Sequence, residues 1–308
     1  MEGVSTLASP LVFRYEGAAH PIRLTAEFAP RTLAMLLAGL PETVDIHCAK
    51  IAGNHIFWHG RFVAPFERVA DVMSVAPGAF IYYPERQFLE LVYGELQAET
   101  ANVNVLGWVE GDVAWLRALG QRVQRRQGVE LITARLEHDG EGAPPMPAPR
   151  PTPVHPGLAR LRRARESMWA AMPAEFEALL DRRGVMLPVG PLIMAEGELR
   201  KLHELLWRLL EAWRAGRRQG VGAQTMFLVE AFVSRIAGFC HLTETGATLE
   251  RAAAALPGAD EVTVDAVLEE LVLFTGRAAG WLDQGIPWFD LNEATLAARR
   301  ARHGVPGR

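Results

Sequence analysis

Four short stretches of this sequence carry side chains able to move protons or hold carboxylates. They are DIHCAK with His47 and Lys50, GNHIFWH with His55, PERQFLELVY with Glu85, Arg86, Glu90 and Tyr93, and NVNV with Asn102 and Asn104. All lie in or beside apolar runs of strand length. Histidine titrates near neutrality, and a carboxylate of raised pKa can act as a general base. Lysine, arginine and asparagine supply donors for carboxylate ligands. Alternate residues of a strand face one side, so Asn102 and Asn104 share a face. On an inward face such groups need a partner or a ligand. The plainer reading is that they point to solvent from half-exposed antiparallel strands.

A second group sits among apolar residues nearer the C-terminus: Glu230, Ser234, Arg235 and His241, surrounded by Phe227, Leu228, Phe232, Val233, Ile236 and Phe239. A buried Arg235 would require a carboxylate from the protein or from a ligand. An internal Glu–Arg pair or one exposed polar stripe is the structural alternative. Other patterns carry no chemistry. Gly220, Gly222 and Thr225 lack the lysine of a phosphate loop, and no GxSxG elbow occurs. His55 and His59 have the i, i+4 spacing of a zinc helix, but the segment reads as strand. That would put them about 13 Å apart, too far to share a zinc with bonds of about 2 Å, so no metal site is expected. Trp169, Trp207, Trp213, Trp281 and Trp288 read as core.

These residues need elements to hold them. The 308 residues are 49% hydrophobic and 22% charged, enough to bury real cores, and the net charge of −4 argues against binding a phosphate backbone. Cys48 and Cys240 show no ligand spacing and fit a reducing cytoplasm. No signal peptide or membrane span is expected, because the most apolar stretch, 221–242, contains Glu230 and Arg235. The proline-rich run GEGAPPMPAPRPTPVHPG at 140–157 reads as an extended linker between units at 1–139 and 158–308.

Before the linker, strands are expected at 11–16, 21–28, 44–49, 55–59, 79–83, 88–93, 102–108 and 129–137, with helices at 31–40 and 112–126. That is an α+β unit, a small barrel closed by helices or an open sheet. After it the period becomes helical, predicting helices at 158–182, 198–218, 222–242, 248–256, 263–283 and 291–302. Gly184, Gly246 and Gly304 stand at expected helix ends, and Asp290 with Glu293 resembles a capping box.

Residues 10–138 resemble a cyclophilin-like barrel family. The cues are FAPRTLAMLLAGLP, DIHCAKIAGNHIFWHG, PGAFIYYP and LVYGELQAETANVNVLGWVEG, with matches at Pro30, Leu40, Pro41, His47, Gly53, Pro77, Gly78, Tyr83, Pro84, Tyr93 and Gly94. Within that family the chain is most similar to the cucumopine and mikimopine (opine) synthases, which join such a barrel to a C-terminal helical bundle. The resemblance implies an N-terminal cyclophilin-like β-barrel with two helices, an all-α helical bundle after it, and no cofactor. It implies condensation of L-histidine with 2-oxoglutarate through an imine and a Pictet–Spengler cyclisation. Its partners would be an amino acid and a keto acid, with no nucleic acid or membrane, and the bundle has enough apolar surface for a homodimer.

Residue chemistry then assigns acid–base work to His55 or Glu85, with His47 and Tyr93 as supporting donors. Lys50 or Arg86 would hold carboxylates, with Asn102 and Asn104 as further substrate contacts. A site between the two units would add Arg235, His241 and Trp288. The competing reading is a non-catalytic module that binds a small acidic metabolite and dimerises through its helices. A prolyl isomerase ranks below both, because the long strand motifs of ordinary cyclophilins are missing.

Overall fold

The computed structural model of the protein describes residues 7, 9–97, 101–139, 141, 143–146, 155–181 and 189–303. Short, largely apolar runs build ten strands among the described residues: β1 (Leu11–Tyr15), β2 (Ala18–Leu24), β3 (Glu42–Asp45), β4 (His47–Cys48), β5 (Gly53–His59), β6 (Val69–Asp71), β7 (Ala79–Tyr83), β8 (Phe88–Leu96), β9 (Asn102–Val109) and β10 (Thr133–Glu137). They form one antiparallel sheet in the order β3-β10-β1-β2-β9-β7-β8-β5-β4, with β6 on β9. The two ends of this order, β3 and β4, are separated in the chain by Ile46 alone. The sheet therefore curls into a nearly closed barrel. Its inner face is filled by Phe13, Trp58, Phe80, Tyr82, Leu89, Leu91 and Leu106. Helices α1 (Pro30–Ala38) and α2 (Ala114–Arg126) flank it, α1 with proline in its first turn and α2 sending Leu116, Leu119 and Val123 into the core.

Seven more helices follow: α3 (Pro156–Ala170), α4 (Ala174–Leu180), α5 (Val189–Arg214), α6 (Val221–Gly238), α7 (Thr243–Ala253), α8 (Glu261–Gly285) and α9 (Trp288–His303). Helix α8 is the axis of this part. From Leu271 to Asp283 every residue is buried, as expected of a helix packed on all sides. Its neighbours include α3, α4, α5 and α7, and it also reaches β5 of the barrel. Among the described residues no helix is long and apolar enough to cross a membrane.

Several boundaries differ from the sequence reading. The strand expected at 44–49 is split at Ile46 into β3 and β4, and β6 was not foreseen. The helix expected at 158–182 begins at Pro156, where His155 Nδ1 accepts from Gly157 N, and it ends at Ala170. Pro173 then starts α4, since proline cannot continue a helix interior. Gly246 does not end a helix. It lies inside α7, where an added Cβ would stand 3.0 Å from both Val233 and Ala237, so its smallness lets α6 and α7 approach. Asp290 sits in the first turn of α9 instead of preceding it. Gly184, Gly304 and positions 140, 142 and 147–154 of the linker lie outside the described residues.

Candidate functional site

The two faces of β5 and β8 are chemically different. Ile56 and Trp58 of β5, with Leu89, Leu91 and Tyr93 of β8, fill the barrel interior. His55, Phe57 and His59, with Phe88, Glu90 and Val92, therefore point outward, yet all six are buried. Strand register aligns three of these positions into a row. His47 of β4 is opposite Phe57, and Phe57 is opposite Glu90. The His47 ring stacks on Phe57 at 4.9 Å, Phe57 stacks on Phe88 at 4.3 Å, and His59 lies 5.0 Å from His47. His55 Nε2 stands 3.6 Å from a Glu90 carboxylate oxygen, within ion-pair range but too long for a hydrogen bond.

Helices α5 and α8 cover this face. Asp283, near the end of α8, takes His47 Nδ1 at 3.0 Å and Lys50 Nζ at 2.6 Å on one oxygen, and Trp288 Nε1 at 3.0 Å on the other. Gln127 Nε2 donates to the Asp283 carbonyl, and the Cys48 thiol donates to Gln127 Oε1. From α5, Arg200 lies over Phe88 at 5.8 Å and pairs with Glu196, while the His203 imidazole bonds the Val272 carbonyl. Two glycines one turn apart admit the rings. A Cβ on Gly280 would stand 2.6 Å from His59 Cε1, and one on Gly276 would stand 2.9 Å from His203 Cε1. Gly280→Ala is thus expected to overpack the seam, at a cost of about 1–3 kcal/mol. In a melting experiment this is a fall of several degrees in Tm, and an unchanged Tm would count against the close approach.

Burial dominates the electrostatics. It pushes His55 and His203 down to about 4, with Lys50 adding to the effect on His55 and the Val272 carbonyl opposing it on His203. It also holds His59 well below the usual imidazole range. His47 is lowered by burial too, against an opposing pull from Asp283. For Asp283 burial alone would raise the carboxyl, but Lys50, His47 and Arg200 together keep it well below the usual range. The stable pattern is a charged Asp283, balanced by Lys50, holding a neutral His47 by its Nδ1–H. His47 Nε2 is left as a basic nitrogen with no hydrogen-bond partner among the described residues, and His55 Nδ1 and both ring nitrogens of His59 are likewise without one.

The fold is similar to that of McbB. A solved structure of McbB in complex with tryptophan superimposes with a TM-score of 0.73, covering 92% of this chain and 99% of that one at 21% identity. The solution structure of a hypothetical protein from Archaeoglobus fulgidus aligns with 44% of this chain and 98% of that one at 22% identity, with a TM-score of 0.33. No family model and no curated protein matches the chain.

Of the residues singled out in the sequence, the structure brings His47, Lys50 and His55 together. Glu85 and Arg86 lie on the β7–β8 turn, half-buried, where their charge and backbone act on His203. Tyr93 is on the opposite face of β8, inside the barrel against Gly120, its hydroxyl pushed up to about 12 by burial. Asn104 is fully buried, but its amide bonds Thr32, Pro65 and Glu67, tying α1 to the chain before β6, while Asn102 is exposed. Arg235 is an exposed surface residue paired with Glu198 at 3.2 Å, and His241 is exposed in the α6–α7 turn at φ 58°. Neither reaches the covered face; Arg235 follows the structural alternative, an exposed polar stripe of α6. Asp283, Arg200 and His203 were not foreseen. The only sequence signals for them are an acid at the end of an apolar helix and the Gly276–Gly280 pair that opens it.

Proposed function

We propose that this protein is a condensing enzyme that needs no cofactor, joining an amino acid with an electron-rich ring to a 2-oxo acid by a Pictet–Spengler reaction. The amine and the ketone lose one water to form an imine. A ring carbon then attacks the protonated imine, the C=N electron pair moves to nitrogen, and a base removes the proton from that ring carbon to restore aromaticity. Such chemistry asks for a base, a proton donor and cations for carboxylates, fixed around an aromatic surface.

The observation that carries the reading is the row His47–Phe57–Glu90 with His55 beside it, on a barrel face covered by α5 and α8. Glu90 and His55 are assigned removal and return of the ring proton. His47, oriented by Asp283, serves as the second acid–base group at the imine nitrogen, and Lys50 and Arg200 are the nearest cations for carboxylates. Phe57 and Phe88, stacked on each other and on His47, supply the aromatic surface beside these groups. Under this reading the barrel is of the cyclophilin-like type, α3–α9 form a bundle joined to it by 140–157, and the enzyme works in the cytoplasm.

Two amines follow from different observations. The opine-synthase resemblance favours L-histidine with 2-oxoglutarate, whereas the tryptophan held by the McbB structure favours L-tryptophan. The test is mass spectrometry of purified protein with 2-oxoglutarate and either amine, against a control without protein. The expected product is the sum of the two substrates less one water, formed above the control. Glu90→Gln and His55→Ala are each expected to slow it by about 10²-fold or more. Binding without turnover for both amines, or near-full activity in both variants, would overturn the proposal.

A further inference from the structure

A separate cavity opens on the seam between sheet and helices, next to β3. It has a volume of about 400 Å³, within the range of small-molecule sites. Its walls include Arg61, Arg277, Trp169, Trp281, Glu42 and Asp45. The Arg277 guanidinium lies 4.5 Å from the Trp169 ring centroid and 4.0 Å from that of Trp281, and Arg61 lies 4.5 Å from the same Trp169 centroid. The two cations are therefore no further apart than twice that distance. Arginine stacked on indole keeps its in-plane N–H groups available at the edge.

The charge of each arginine is partly met within the wall. Arg277 Nη2 bonds Asp45 at 2.6 Å, its Nε bonds the Met168 carbonyl, and Arg61 pairs with Glu42. A guanidinium has five N–H donors, so these bonds leave donors on both residues. Trp169 adds a buried Nε1 with no partner among the described residues. Glu42 is poorly placed to hold its negative charge, since burial pushes its carboxyl up against the pull of Arg61. Each wall carboxylate thus meets one arginine, and donors of both arginines and of Trp169 remain over, set against flat aromatic walls. That is the chemistry of a site for an anion with planar acceptor groups.

We propose that this cavity is a second small-molecule site, which binds an organic dicarboxylate with one carboxylate at Arg277 and Trp169 and the other at Arg61. It opens beside the histidine face, and Arg277 and Asp45 act on His59 and His47 through their charge. Arg277 precedes Asp283 by six residues of α8, about 9 Å along the helix. The site does not depend on the reaction proposed above.

Glutarate is the probe, because it has two carboxylates and no ketone and so cannot form an imine. In isothermal titration calorimetry of the whole protein, glutarate is expected to bind saturably at one site. Arg61→Ala, at a side chain 46% exposed to solvent, should weaken binding at least tenfold, and Trp169→Phe, which keeps a ring but removes the N–H, should weaken it severalfold. His47→Ala should leave it unchanged. A thermal melt of each variant separates lost binding from lost folding. No saturable heat up to 10-millimolar-scale glutarate, or binding that survives Arg61→Ala but is lost in His47→Ala, would overturn the proposal.

Discussion

Asp283→Asn is expected to lower the rate of the proposed condensation by about 10²-fold and to destabilise the protein by about 3–5 kcal/mol. Asparagine is nearly the same shape, so the loss is one of charge. Lys50 Nζ, 2.6 Å from the carboxylate, would be left partly buried without a counter-ion. The amide also keeps only one acceptor oxygen, for which His47 Nδ1–H, Lys50 and Trp288 Nε1 would compete, so the tautomer that leaves Nε2 basic would be less firmly held. Two measurements separate stability from chemistry. The double variant Asp283→Asn/Lys50→Met removes both charges and should recover most of the stability in urea denaturation, because an unpaired buried charge costs more than an absent pair. It should not recover the rate. Recovery of both would mean that Asp283 serves the packing alone.

Acid should destabilise the protein from about pH 6.5 downward, starting before its carboxylates titrate. The folded pKa values of His55 and His203 are near 4, against an unfolded value near 6.5. The unfolded chain therefore takes up protons first as pH falls. Stability from these groups is fully present above about pH 6.5 and is lost progressively as pH drops toward 4. Each contributes a loss on the order of 3 kcal/mol by pH 4, and His47 and His59, also lowered, act in the same direction. Two such losses alone reach the range of roughly 5–15 kcal/mol of a typical net stability. Asp283 adds a further loss in a lower window, below about 3.8, because its folded pKa is depressed. Urea midpoints at pH 7.5, 6, 5 and 4.5 should fall steadily below pH 6.5. A flat series over that range would show that these imidazoles can take a proton in the folded state.

The parts of this fold that were legible in the sequence are those set by local pattern. Short apolar runs at 79–83, 88–93 and 102–108 marked β7, β8 and β9, and Pro30 marked the start of α1. The break at Ile46 was not legible, because it follows from closing the sheet and not from any residue's preference. The candidate site divides in the same way. His47, Lys50 and His55 stood out as polar residues in apolar runs, and alternation shows that His55 and His59 share a face. What covers that face is tertiary. Asp283 meets His47 across 236 positions of chain, and no local signal encodes such a contact. For Arg235 the local pattern left burial and one exposed polar stripe both open, and the structure takes the second: a helix at the surface keeps one side wet however apolar the others are.

The covering of the histidine face by α8 also has a consequence in time. Every strand of the barrel precedes α8 in the chain, and β10 ends at Glu137 whereas α8 begins at Glu261. As the polypeptide leaves the ribosome, the sheet can be complete while Gly276, Gly280 and Asp283 are not yet made. Until then His47, His55, His59 and Glu90 face water beside the apolar rings of Phe57 and Phe88. The barrel therefore waits with this face uncovered until the chain has grown from Glu137 to Asp283, the last of the three.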